Sequence, residues 1–294
     1  MKVGLVLEGG GMRGLYSTGV LDCFLDHDIM TDYVIGVSAG ACHGVSYLSK
    51  QRGRSFRINT DYLGDKRYLS VRNFLKTKSL FGMDFIFDEI PHKLDIFDYD
   101  TFLNSPYEYK LAVTDVNTGK PVYFDKTHLN YDSTILKASC SIPIFSPIVE
   151  YQNGLYLDGG TSDSIPVKKA LEDGCDYLII VLTRDREYIK KPESFRGIYS
   201  KVLKKYPKMI KCLDNRHLMY NETLEFIKQL EQEGKATVIA PSHPLKISRF
   251  EKDIDKLNDL YQLGYNDTLK KINAIKKLKD WNVIVSIPFY ILFN

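Results

Sequence analysis

Residues 3–14 read Val3-Gly4-Leu5-Val6-Leu7-Glu8-Gly9-Gly10-Gly11-Met12-Arg13-Gly14, and residues 33–40 read Tyr33-Val34-Ile35-Gly36-Val37-Ser38-Ala39-Gly40. Each stretch opens as a short apolar run, turns on glycine and enters a helix-compatible segment. Short continuous apolar runs closed by glycine are the pattern of strands buried on both faces. Two strand–turn–helix units in succession predict an α/β fold with parallel strands and right-handed crossovers. The first turn bares a cluster of backbone N–H groups and the second exposes a serine. Ester hydrolysis by a serine needs both.

Glycines two before and two after Ser38 let the backbone make a sharp strand-to-helix turn that lifts the serine to the top of a sheet. At a helix N-terminus, the dipole and free N–H groups favour developing negative charge. In the first turn, Gly9, Gly10 and Gly11 permit close backbone approach to a ligand, and consecutive N–H groups there form an anion-binding concavity. For acyl transfer that concavity is an oxyanion hole. Arg13 either fixes this loop or adds positive potential.

The same stretch is also a literal G-x-G-x-x-G after a first strand, the dinucleotide fingerprint. That template requires an acidic residue at the end of the second strand. The second strand ends instead in Gly36-Val37-Ser38, and Asp28 and Asp32 precede it. This counts against a dinucleotide and in favour of a hydrolase.

A nucleophilic serine needs a base. His43 lies one turn along the helix from Ser38, pointing away. His27, His92, His128, His217 and His243 do not sit at glycine-flanked strand ends. Asp158 follows the strand Leu155-Tyr156-Leu157, and Gly159-Gly160 leave it an open approach. Parallel sheets place their sites at such C-terminal strand ends.

Further patterns fill in the rest. Strands are expected at 110–114, 122–124 and 177–182, and a helix at 133–139. Ser164-Ile165-Pro166 reads as a helix start with Ser164 as N-cap. The aromatic segment 51–106 contains Phe81 to Phe87, which reads as an amphipathic helix serving the core, a lid or an acyl-chain pocket. After Thr183, residues 184–216 carry eleven basic against four acidic side chains. Helices follow at 217–233 and 251–279, with a strand at 237–239. The apolar tail 281–294 is too short to span a bilayer. It fits a buried strand, an interfacial anchor or a non-native tail.

The chain has 294 residues, a 44% apolar fraction and a formal charge of +3. That is enough chain for a sizeable core, and without a concentrated basic stripe it argues against a nucleic-acid partner. Five widely spaced cysteines lack a C-x-x-C pair and read as reduced thiols of a cytoplasmic protein. Met1 to Leu7 lacks the marks of a signal peptide. The lysines of 184–216 leave room for peripheral contact with an anionic membrane. Oligomeric state is open.

Together these residues resemble the patatin-like phospholipase family, with its G-G-G-x-R/K-G loop, G-x-S-x-G turn and D-G-A/G aspartate. They stand in that order at Gly9 to Gly14, Gly36 to Gly40 and Asp158 to Gly160. Ala138 to Phe145 resembles the family's A-S-x-x-x-P-x-x-F stretch, with Phe145 one residue closer to Pro143. The resemblance covers residues 2–183, and the continuation looks like a bacterial branch of the family. It implies a three-layer α/β/α sandwich with a mainly parallel central sheet, a catalytic domain at 1–183 and a helical C-terminal extension at 184–294 packed on the same domain. It also implies a Ser-Asp dyad, with Ser38 as nucleophile, Asp158 as base and Gly9, Gly10, Gly11 and Met12 as oxyanion loop. The expected activity is hydrolysis of lipid esters or phospholipids through an acyl-enzyme, with no cofactor and no metal. Gly160 stands where many members have alanine, a minor departure. Two other readings remain: a triad esterase with His217 or His243 as base, and a non-catalytic nucleotide-binding or regulatory protein.

Overall fold

The computed structural model describes residues 1–244 and 246–284. Its centre is an eight-stranded sheet: β1 (Val3–Leu7), β2 (Tyr33–Val37), β3 (Glu108–Asp115), β4 (Pro121–Asp125), β5 (Val149–Tyr151), β6 (Gly154–Asp158), β7 (Tyr177–Val181) and β8 (Ala236–Ile239). The order is β5-β6-β3-β2-β1-β7-β8, with β4 pairing β3. Strands β3, β2, β1, β7 and β8 run parallel, while β4, β5 and β6 pair antiparallel. The helices are α1 (Leu15–Asp26), α2 (Ala39–Leu48), α3 (Arg54–Thr60), α4 (Val71–Thr77), α5 (Tyr99–Asn104), α6 (Thr134–Ser139), α7 (Val167–Glu172), α8 (Arg196–Val202), α9 (Pro207–Gln232), α10 (Ile254–Leu269) and α11 (Ile272–Ile284).

The apolar runs are buried on both faces because strand side chains alternate. Leu5, Leu7, Val34 and Val181 pack into one core with Tyr16, Phe24 and Tyr47 of α1 and α2 and Leu257 and Leu260 of α10. Val6, Ile35, Leu178 and Ile180 pack into the opposite core with Val167 of α7 and Tyr220, Ile227 and Leu230 of α9. The architecture is an α/β/α sandwich. The chain after Thr183 adds β8 to the sheet and α9 to one face. On the other face, α10 is tied to α1 by two buried bonds, Tyr16 Oη to Asp267 at 3.3 Å and Tyr261 Oη to Asp22 at 3.0 Å.

One detail of register decides the site. Val113 of β3 pairs with Val122 of β4 and with Asp158 of β6. A strand residue has two edges, so β6 lies on the edge opposite β4, which is the edge of β2. There β2 stops at Val37, opposite Ala112, and β6, running the other way, stops at Asp158, opposite Val113. The two strands meet tip to tip along β3.

Two local expectations are corrected. Phe81 forms an extended bridge with Leu69, and Gly82 N–H donates to the Tyr68 carbonyl at 2.8 Å, so the helix expected from Phe81 starts only at Met83. A π-type helix begins at Phe85 and runs to Leu94. Ser164 is not an N-cap: its hydroxyl donates back to the Gly160 carbonyl at 2.6 Å, and α7 begins at Val167. Gly11 to Gly14 form a 3-10 turn ahead of α1. Of the tail 281–294, residues 281–284 end α11 and the rest lies outside the described residues.

Candidate active site

Ser38 sits between β2 and α2 with φ 54° and ψ −124°, a conformation L-residues rarely adopt. Such strain costs about 1–3 kcal/mol and is tolerated where the surroundings over-determine it. Here the flanking glycines make that possible. A Cβ on Gly36 would stand 2.6 Å from the Gly40 carbonyl carbon, and one on Gly40 would stand 2.5 Å from the Leu7 carbonyl oxygen. The elbow therefore packs directly on the end of β1.

The meeting of β2 and β6 brings Ser38 Oγ to 2.7 Å from Asp158 Oδ2, as donor to acceptor. Asp158 Oδ1 accepts the Gly160 N–H at 2.7 Å, fixing the carboxylate plane. Thr114 Oγ1 donates to the Asp158 carbonyl at 2.9 Å. Where the β2–β3 ladder breaks, Ser139 Oγ accepts the Ser38 N–H at 2.9 Å and donates to the Ala112 carbonyl at 2.7 Å. Burial pushes the Asp158 carboxyl above the ordinary aspartate range, while the Ser38 hydrogen bond and Arg216 pull it part of the way back. A carboxylate so placed is a stronger base than a solvated one and can take a proton from Ser38.

The glycine loop lies against the elbow: a Cβ on Gly9 would stand 3.2 Å from Ser38 Cβ. The N–H groups of Gly9, Gly10 and Gly11 have no hydrogen-bond partner among the described residues. Met12 differs, since its N–H donates to the Arg249 carbonyl at 3.2 Å, so the free donors are the three glycines. Gly11 has φ 58°, and a Cβ there would stand 2.6 Å from the Arg249 oxygen. Glu8, at the root of the loop, is buried and accepts bonds from the Thr183 N–H and the Tyr220 hydroxyl.

Ser38 lies on the border of two cavities. One, of about 570 Å³, is apolar and lined by Met12, Ile58, Phe81, Met83, Ile86 and Phe87. The other, of about 660 Å³, is lined by Arg13, Arg184, Lys190, Arg216 and Arg249. His43 lines the apolar cavity; its ring nitrogens are buried and unpartnered, and burial pushes it down to about 4. Neither His217 nor His243 lines either cavity. The five cysteines are free thiols. Cys42 and Cys140 approach to 3.4 Å beside Ser38, and the bond with Cys42 together with burial keeps the Cys140 thiol protonated.

Several of these residues were not singled out by sequence reasoning. Ser139 fell inside a recognised stretch without a role. Arg184, Lys190 and Arg216 belonged to the basic run, but the fold turns them inward; Arg249 had no sequence signal.

The sequence model of the patatin-like phospholipase family matches residues 5–171, more than half of the chain, and a domain of unknown function (DUF6363) matches residues 206–279. The chain belongs to the patatin-like phospholipase family, and it is a lipid ester hydrolase. It is 25% identical over 274 residues to the uncharacterized protein YjjU of Escherichia coli, covering 90% of this chain and 75% of that one. It is 23% identical over 291 residues to the lysophospholipase NTE1 of Scheffersomyces stipitis. That match covers 94% of this chain but only 18% of the yeast protein. The crystal structure of VipD from Legionella pneumophila superposes with a TM-score of 0.46 at 11% identity, covering 93% of this chain and 67% of VipD.

Proposed function

We propose that the chain hydrolyses carboxylic esters of lipids by a Ser38–Asp158 dyad through an acyl-enzyme. The observation that carries the reading is the 2.7 Å bond from Ser38 Oγ to a buried carboxylate at a strained strand–helix turn. Ser38 Oγ attacks the ester carbonyl as its proton passes to Asp158 Oδ2. The resulting oxyanion is held by the N–H groups of Gly9, Gly10 and Gly11. Asp158 then protonates the departing alcohol. A water, deprotonated by Asp158, attacks the acyl-enzyme, and Asp158 returns that proton to Ser38 Oγ as its bond to the acyl carbon breaks and the fatty acid leaves. Removing one oxyanion donor raises such barriers by about 3–4 kcal/mol. The acyl chain lies in the apolar cavity.

The test is a fluorophosphonate probe with p-nitrophenyl esters and lysophospholipids, on wild type and Ser38→Ala. Labelling and turnover in the wild type, both lost in folded Ser38→Ala, support the dyad hydrolase. A folded wild type that takes no label at Ser38 refutes it. The triad reading is less favoured because neither His217 nor His243 reaches the cavities at Ser38.

The chain also meets an anionic membrane surface in this reading. Among the described residues no helix is long and apolar enough to cross a membrane. Around α8, however, Ile189, Phe195, Ile198 and Val202 are at least half exposed beside the exposed Lys201, Lys204 and Lys205. Apolar side chains among lysines are the composition of an interfacial surface. Phe195 packs edge-on against Phe145, which follows the cleft-lining Pro143 by two residues. Co-sedimentation with vesicles should require anionic lipid and weaken with salt; binding indifferent to both refutes it.

A further inference from the structure

The cavity on the polar side of Ser38 holds five cations whose charges are poorly matched. Arg13, Arg184 and Arg249 form no ion pair with any carboxylate among the described residues. The Arg13 Nε is buried without a hydrogen-bond partner. Lys190 and Arg216 share a single carboxylate, Glu193, at 3.2 and 2.9 Å. The two other acids at the cavity are already engaged, Glu8 by Thr183 and Tyr220, and Asp158 by Ser38 and Gly160. Burial and the neighbouring arginines push Arg13 down to about 10, and burial with Arg216 pushes Lys190 down to about 8. Desolvated cations that repel one another stay in place at a cost that a bound anion would offset.

The geometry points to a headgroup subsite: we propose that this cleft receives the phosphate of a single-chain glycerolipid and selects an anionic phosphate over a neutral or zwitterionic headgroup. The proposal rests on the acyl-hydrolase reading and names its substrate class. Three observations carry it. First, Ser38 stands between one apolar and one cationic cavity, so an ester whose acyl chain fills the first must direct its alcohol portion into the second. A second acyl chain would have to lie among arginines. Second, arginine presents a planar fork that matches phosphate oxygens, and three of these forks are free of carboxylates. Third, the cleft cannot cage a quaternary ammonium. Its two tyrosine rings already carry cations, Arg184 at 4.6 Å over Tyr188 and Lys190 at 5.8 Å over Tyr220.

Calorimetry on Ser38→Ala protein tests this without turnover, so failure of the hydrolase reading and failure of the headgroup reading are separable. The ligands are short-chain 1-acylglycerol 3-phosphate, the matching monoacylglycerol and the matching lysophosphatidylcholine, all below their micelle concentrations. The phosphate monoester should bind at least roughly tenfold more tightly than either other ligand, with the preference shrinking as salt rises. Adding Arg184→Gln or Arg249→Gln should each cut that preference roughly tenfold. Lys190→Gln serves the same purpose should Arg249→Gln not fold. Equal affinity for the three ligands, or a preference unchanged in the folded variants, overturns the proposal. Glycerol 3-phosphate and inorganic phosphate distinguish the sources. Competition with the lysolipid supports a headgroup subsite. Phosphate binding that leaves lysolipid affinity unchanged would assign the cleft to a free anion and overturn it.

Discussion

Replacing Asp158 by asparagine separates its chemistry from its shape. Gly160 N–H donates to Oδ1 at 2.7 Å, so the amide oxygen of the variant takes that position and the NH₂ faces Ser38 in place of Oδ2. Ser38 Oγ then meets a donor, its own proton turns elsewhere, and no acceptor remains to receive it. Loss of general-base catalysis typically costs a factor of 10² to 10⁴, about 3–5 kcal/mol of barrier. Stability moves the other way. The folded-state pKa of Asp158 lies above the ordinary aspartate value because the group is buried. Its contribution to stability is therefore greatest below the unfolded-state pKa and declines as pH rises through the folded-state pKa. At pH 7 the wild type carries the full cost of that buried charge, whereas the neutral amide does not. The variant should unfold at the same or a higher temperature than wild type at pH 7, and the difference should close below about pH 4. The assay pairs p-nitrophenyl ester hydrolysis with thermal denaturation. Turnover within tenfold of wild type in a folded Asp158→Asn protein refutes the role of Asp158 as base. In the wild type, kcat/KM should fall as pH is lowered through a midpoint above the usual aspartate value; a midpoint at or below that value contradicts the environment described.

Gly11→Ala should lose activity and lower Tm, since it places a Cβ at φ 58° and 2.6 Å from the Arg249 oxygen; the strain is at least about 1 kcal/mol, and an unaltered Tm by calorimetry would contradict it. Ser139→Ala leaves the Ser38 N–H and the Ala112 carbonyl without their shared hydroxyl, at about 1–3 kcal/mol, visible in urea denaturation together with reduced kcat. Met83→Trp narrows the apolar cavity, so the preferred acyl chain in a graded ester series should shorten; an unchanged chain-length profile would place the acyl group elsewhere. In native protein at pH 8 Cys140 should resist iodoacetamide, as read by mass spectrometry, because only the thiolate reacts and its pKa is held high.

Much of this site was legible because its chemistry is local in sequence. The elbow at Ser38, the glycine loop and the Asp158 turn each require glycine within a few residues, and such requirements survive in the one-dimensional pattern. The strands β1, β2 and β7 were legible for a related reason: burial on both faces forces continuous apolar runs. What escaped notice depends on distant pairing. β5 is only Val149 to Tyr151, and its hairpin turns on Gln152 and Asn153, both at positive φ, without a marked hydrophobic alternation. Phe81 was misread because an aromatic run looks helical, while the bonds of its neighbours, Gly82 N–H to the Tyr68 carbonyl and Ser70 N–H to the Leu80 carbonyl, hold it in an extended bridge opposite Leu69. Arg216 looked like one charge among many on a helical face. Its Nε in fact donates to the Gly160 carbonyl at 2.6 Å, a contact 56 residues away that no local pattern encodes. Met12 fits the loop by position, yet its N–H is taken by Arg249, a partner from the far end of the chain.

The tip-to-tip meeting of β2 and β6 makes the proposed Ser38–Asp158 pair a reading of strand alignment. A strand advances about 3.3 Å per residue and alternates faces, so a single-residue slip of β6 along β3 would carry the carboxylate past the hydroxyl and turn it to the opposite side of the sheet. The separation of Ser38 from Asp158 thus has a tolerance smaller than one residue, set by Val113 pairing with Asp158 and held by Ser139 at the junction. Insertions at the Gln152–Asn153 turn lie upstream of that alignment and leave it to the pairing of Leu157 with Thr114. An insertion between Leu157 and Gly160 would abolish it, however small. Evolution of the proposed site can therefore lengthen the hairpin freely but has almost no freedom in the last two residues of β6.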